Sequence, residues 1–131
     1  MESLDHWHEQ ALIAYSPLPR APVGIARYVR QADFAVAEIA VEVVDEWQRR
    51  GVGSALGLAL RERALHAGIH RFVATVAMDN TGARALATRL GCVRGGLAGS
   101  GSQALVIELG ISSVARHAEH VLGDEVEREL L

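Results

Sequence analysis

Apolar and polar positions alternate with a period of two over the first third of the chain. They then shift to a helical period, and the two patterns exchange again further on. Ala11-Leu12-Ile13-Ala14-Tyr15 reads as a short strand. Ser16 to Pro22 holds all three prolines, which lack a donor and fix φ, so this stretch is expected to be a turn. Val23 to Val29 alternates again, with Val23, Ile25, Arg27 and Val29 expected on one face, and would close a hairpin. Phe34 to Val44 is the longest strand-like segment. Ile39, Val41 and Val43 share one face; Glu38, Ala40, Glu42 and Val44 share the other. From Gly53 to Ala67 the spacing of Leu56, Leu60 and Ala64 predicts a helix, with Arg61, Glu62 and Arg63 outward and Gly68 ending it. Phe72 to Ala77 is the next strand. Asp79-Asn80-Thr81 offers capping oxygens to a second helix, whose inner face is Ala83, Leu86, Ala87 and Leu90. Gly91 stops it. Cys92-Val93 opens a strand, Gly95 to Ser102 reads as a Gly/Ser loop, and Gln103 to Leu109 is the last strand. Residues 111–131 have a helical pattern.

The order β-β-β-α-β-α-β-β implies an α/β fold with a mixed central sheet flanked by helices and a C-terminal helical extension. At 131 residues the chain is expected to form one domain, 1–131, with its core over 11–109. Half of the residues are apolar, enough for a buried core. A net charge of −3 argues against nucleic acid as the main partner. One cysteine, Cys92, permits no internal disulfide, and a buried packing role is expected for it. The acidic start is unlike a secretory signal, and no apolar run approaches membrane-helix length, so a cytoplasmic location is expected. Six histidines invite a metal reading. His66 and His70 are separated by Gly68, His117 and His120 share a face, and His6 and His8 sit in an arm. None has a third ligand at a useful spacing, so no metal is expected.

The densest chemistry lies in Val43 to Leu56. A strand ends, Arg49 and Arg50 follow, and Gly51-Val52-Gly53-Ser54 opens a helix. A helix start exposes free N–H groups and the positive end of its dipole, so it favours phosphate. Gly51 and Gly53 would allow close approach, and Ser54 would add a hydroxyl. The stretch is not a Walker loop, since Gly-Lys-Ser/Thr is lacking. It is not the dinucleotide fingerprint either, since Leu56 replaces the third glycine.

Gln48-Arg49-Arg50-Gly51-Val52-Gly53 matches Gln/Arg-x-x-Gly-x-Gly/Ala and resembles the acetyl-CoA loop of the GNAT N-acetyltransferase superfamily. Ala37 to Val41 before it, and Asn80-Thr81-Gly82-Ala83 with Leu90-Gly91 after it, keep the family spacing. Val23 to Arg30 is similar to a strand of Pat-type protein lysine acetyltransferases. The resemblance implies acetyl-CoA as cosubstrate and a strand, Phe34–Val44, that splays from Phe72–Ala77. Backbone groups of Val41, Glu42 and Val43 would pair with the pantetheine arm. Amides from Arg49, Arg50, Gly51, Val52, Gly53 and Ser54 would hold the diphosphate. The amide of Asn80 would bond the pantetheine, or Asn80 is a plain helix cap.

The implied reaction is attack of an amine, or a protein lysine, on acetyl-CoA in a ternary complex. Glu38 is the implied base and Glu42 the second candidate; burial among Ala and Val would raise either toward neutrality. The sequence departs from the family at Ala87, where many members carry a tyrosine acid, and in its shortened N-terminal part. These departures keep open a second class of function, a non-enzymatic acyl-CoA-binding module. Trp47 is expected to pack against the sheet end. The 111–131 tail is expected to be a lid on the core or a homodimer seam.

Overall fold

A computed structural model describes residues 8–98 and 101–110. The expected arm before residue 8, with His6, lies outside the described residues, as does the 111–131 tail with His117 and His120. Six strands form one mixed sheet: β1 (Glu9–Pro17), β2 (Arg20–Arg30), β3 (Val36–Val43), β4 (Arg71–Ala77), β5 (Cys92–Ala98) and β6 (Ser102–Glu108). Their spatial order is β1-β2-β3-β4-β6-β5. Helix α1 (Val52–His66) follows β3 after a 3₁₀ turn at Asp45–Trp47, and α2 (Thr81–Leu90) follows β4. The sheet and helix succession is the one the periodicity predicts.

The hairpin departs from the sequence expectation in two ways. The strands run on to Pro17 and resume at Arg20, so the turn is tighter than 16–22. The Ser16 hydroxyl supports it, donating to Pro19 O and accepting from Ala21 N. The ladder also slips: Ala14 pairs with Gly24 but Tyr15 pairs with Pro22, leaving Val23 as the extra residue of a bulge. Val23 is therefore buried with Ala26 and Tyr28, while Ile25, Arg27 and Val29 turn to the other face. The single face expected for Val23, Ile25, Arg27 and Val29 is thus split. A proline without a donor is tolerated at such a break.

The core lies between the helices and one face of the sheet. Leu56, Leu60 and Ala64 of α1 and Ala87 and Leu90 of α2 pack with Tyr28, Ile39, Phe72, Leu105 and Ile107. Among the described residues, both helices cover this same face, α1 over β1–β3 and α2 over β5 and β6, and they touch each other. Arg61 and Glu62, expected to face outward, are buried. The reason is hydrogen bonding. Arg61 Nε donates to Leu90 O at 2.7 Å, closing the end of α2, its Nη2 donates to Leu109 O, and its Nη1 pairs with Glu62 at 2.8 Å. A planar fork of five donors satisfies carbonyls that would otherwise be orphaned. Gly68, at φ +85, reverses the chain after α1 as expected.

Two smaller corrections concern β5. Gly95 and Ala98 pair with Leu105 and Gln103, so the strand continues into the expected Gly/Ser loop, with an irregularity between them. Cys92 is exposed rather than buried, because it faces away from the helices.

Candidate functional site

The central strands part. Parallel β3 and β4 pair only at Val36–Arg71, Ala37–Phe72 and Glu38–Val73. Beyond Glu38 each goes its own way, and a cleft of about 900 Å³ opens between them. It passes through the sheet. Ile39, Val41 and Ala87 line it on the helix side, and Glu38, Glu42 and Thr75 on the open side.

Ladder alternation decides which main-chain groups face the gap. Val44 N–H donates to Val23 O, and Glu42, Ala40 and Glu38 stand opposite Ile25, Arg27 and Val29. In an antiparallel ladder, alternate residues share bonds with one neighbour. The even residues of β3 are thus turned to β2, and Ile39, Val41 and Val43 point theirs toward β4. Past the last β3–β4 pair no strand meets them. Of the three residues expected to bind through their backbone, Val41 and Val43 face the gap and Glu42 does not. Val43 O is met by Gln48 Nε2 at 3.0 Å, a bond the sequence pattern does not reveal.

The loop at the mouth is built for a free helix start. Gly51, the residue before α1, has φ +88, a backbone region that disfavours side chains, and α1 has no side-chain cap there. Gly53 is different: a Cβ there would make only ordinary contacts with Val41 and Val43. The protein's own packing does not demand glycine at 53. Arg49 is the only non-glycine residue with positive φ among those described, at φ 65, and it lines the cleft. Arg50 lies elsewhere, its guanidinium over the Trp47 ring at 4.6 Å. Trp47 is half-buried at the sheet end and also lines the cleft. The Val52 side chain turns to Gly24 of β2, leaving only its amide for the cleft.

Across the mouth, Asn80 Oδ1 accepts from Ala83 N at 2.9 Å and caps α2. This commits its oxygen and leaves the side-chain NH₂ as a donor beside the cleft. The Ser54 hydroxyl accepts from Arg89 Nη1 at 2.8 Å. Arg89 also lines the cleft, and the sequence pattern misses it because its partner is 35 positions away. Glu38 and Glu42 are both exposed on the open face, so the burial expected around them is not supplied by the described residues. Ala87 is buried. Among the described residues no group of three metal-ligating side chains assembles, and no helix is long and apolar enough to cross a membrane.

A sheet opened between two parallel strands, with a helix start that has no side-chain cap at the mouth, is an arrangement suited to an extended ligand anionic at one end. The sequence profile of the Acetyltransferase (GNAT) family matches residues 2–92, and the chain belongs to that family. It is 45% identical over 69 residues to Acetyltransferase Pat of Mycolicibacterium smegmatis, a stretch covering 52% of this chain and 21% of that protein. The chain thus spans well under half of that relative. The fold is similar to a cAMP-binding acyltransferase from Mycobacterium smegmatis, with TM-score 0.74 and 25% identity, covering 96% of this chain and 37% of that one. It is also similar to yncA of Salmonella typhimurium, solved with its cofactor acetyl-CoA, with TM-score 0.63 and 21% identity over 79% of this chain and 66% of that one.

Proposed function

We propose that this chain is an acetyl-CoA-dependent N-acetyltransferase that acts on an amine, a protein lysine being the acceptor the Pat resemblance favours. The observation that carries this reading is the parting of β3 from β4 after Glu38, with the main chain of Val41 and Val43 turned into the gap. The residues fit the cosubstrate. The amides at Arg50–Ser54 and the cation of Arg49 suit a diphosphate at the mouth. The pantetheine arm runs inward along Val41 and Val43 like a strand, and the NH₂ of Asn80 is placed to donate to it. The thioester then lies in the gap, with its carbonyl polarised by the N–H of Val43.

Glu38 and Glu42 serve the acceptor. An ammonium of pKa about 10.4 has no lone pair, so a proton must leave first. A carboxylate on the open face takes it, directly or through water, and Glu38 is the first candidate by its place in the motif. Glu42 is the second, and it also borders a depression of about 600 Å³ with Ile13 and Ile25. The amine nitrogen forms the new C–N bond, the C–S bond breaks, and the thiolate of CoA leaves. A thiolate of parent pKa about 8.5 departs without much protonation, which accommodates Ala87.

The test is thiol release from acetyl-CoA with a panel of amines and lysine-bearing proteins. Glu38→Gln should lower kcat by about 10²–10⁴ with acetyl-CoA binding retained. An unaffected variant would remove Glu38 from this role. Buried Ala87, with no acid to offer, favours the second reading, an acyl-CoA-binding module without turnover. Tight acetyl-CoA binding with no turnover on any acceptor would establish it.

A further inference from the structure

The sheet face away from the helices carries an aliphatic hollow. Ile13 of β1, Ile25 of β2 and Glu42 of β3 stand side by side in the ladder. With Pro22 and Val44 they line the depression of about 600 Å³, which adjoins the cleft and shares Glu42 and Gln48 with it. Ile13 is 48% exposed and Val44 43%, so aliphatic carbon faces water beside a candidate base. Among the lining residues Glu42 is the one ionisable group. The neighbouring cation, Arg27, stands one row away opposite Ala40 and pairs with Glu9 at 3.6 Å. A polycationic acceptor would meet one carboxylate on an aliphatic floor with an arginine alongside, a poor match. An acceptor with one ammonium and an apolar group next to it matches both parts of the surface.

We infer that this depression is a specificity subsite for the acceptor: it takes an apolar side chain two positions from the acetylated lysine of an extended peptide segment. The inference rests on the transferase reading and names its substrate class. The spacing comes from the sheet. Neighbouring strands lie about 4.8 Å apart, so Ile25 is one spacing and a half, about 7 Å, from the gap where the lysine stem must enter. An extended peptide covers that distance in two residues, at about 3.3 Å each, and side chains two apart point the same way. The lysine and its apolar neighbour then face the sheet together. A small free amine would fill only the gap and leave the aliphatic floor wet.

Steady-state acetyl transfer by the full chain from acetyl-CoA to a peptide series tests it. In each peptide one lysine is flanked, two positions before or after, by leucine, alanine or glutamate. Leucine on one side should raise kcat/KM about tenfold over alanine, mostly through KM, as expected for partial burial of an aliphatic side chain. Glutamate, placed beside Glu42, should fall below alanine. Ile25→Thr and, on the edge strand, Ile13→Thr should each shrink the leucine-to-alanine ratio toward unity, while Ile25→Leu keeps it. Threonine suits a strand, so the ratio is read on folded protein. Equal kcat/KM for all flanks, or a leucine preference that survives both threonine variants, overturns the subsite and leaves the transferase reading standing. In the flat case, a later gel-filtration volume for Ile25→Thr than for wild type would identify a second copy of the chain as the occupant instead. If no peptide and no free amine is acetylated, the transferase reading itself falls, and this inference with it.

Discussion

On the proposed reading Asn80 carries two tasks on one side chain, and a substitution can separate them. Its oxygen caps α2, and loss of such a cap costs about 1 kcal/mol. Its NH₂ is assigned to the pantetheine. Serine caps as well as asparagine but has no amide. Asn80→Ser should therefore keep the urea midpoint close to wild type, while acetyl-CoA affinity falls severalfold, as for one neutral hydrogen bond. Asn80→Ala should lose both. Wild-type affinity in Asn80→Ser would make the residue a cap alone. At this scale the sequence was legible where chemistry and local pattern coincide, as at the cap of Asn80 and the turn at Gly51. It misled at Arg61 and Glu62, because periodicity counts charges as outward and cannot see that the last carbonyl of α2 and that of Leu109, just past β6, converge there. Arg89 was silent for a related reason: its hydroxyl partner lies on another helix.

Elements were legible when their own alternation or period determined them. The faces of β3 followed from its residues alone, and they hold in the structure. The bulge at Val23 did not, because a register slip is a property of two strands. Neither did the extension of β5, where the ladder offered by β6 outweighs the poor strand preference of glycine. The same three-strand edge carries a titratable tie. Glu108 of β6 accepts from Arg71 of β4 at 2.8 Å and from Arg94 of β5. Arg94 first, and Arg71 with it, hold the Glu108 carboxyl below the usual carboxylate range. A depressed folded value means that the unfolded state binds its proton first as pH falls. The tie contributes fully above about pH 5 and is lost as the pH drops through the folded value. Glu108→Gln should be less stable than wild type at pH 7, with the difference shrinking steadily toward pH 3. Urea midpoints across that range measure it, and a gap independent of pH would dismiss the tie. Salt should shrink the difference as well, since Arg94 is exposed and Arg71 and Glu108 are only half-buried.

Taken whole, the domain leaves part of its central sheet unpaired where the proposed cosubstrate would lie, and this makes the proposal testable amide by amide. Ala40 and Glu42 bond to β2, so their N–H groups should exchange slowly with solvent whether or not ligand is present. Val41 and Val43 alternate with them in sequence yet point into the gap, where no strand among the described residues meets them. Their exchange should be fast in the free protein, giving an alternating fast and slow pattern along β3 from residue 40 to 43. Saturating acetyl-CoA stabilises the whole domain by mass action, about 2.7 kcal/mol at a hundredfold excess over Kd. That term slows only amides that exchange through global unfolding. Val41 and Val43 exchange from the native state, so their slowing must come from direct pairing with the bound arm. Residue-resolved hydrogen exchange by NMR should therefore show the alternation erased by acetyl-CoA. Desulfo-CoA, which keeps the phosphates and the arm, should erase it too. Phosphate alone, binding only at the mouth, should leave it intact. Equal protection of all four amides in the free protein would mean that β3 and β4 close together in solution, and the site for the thioester would not exist.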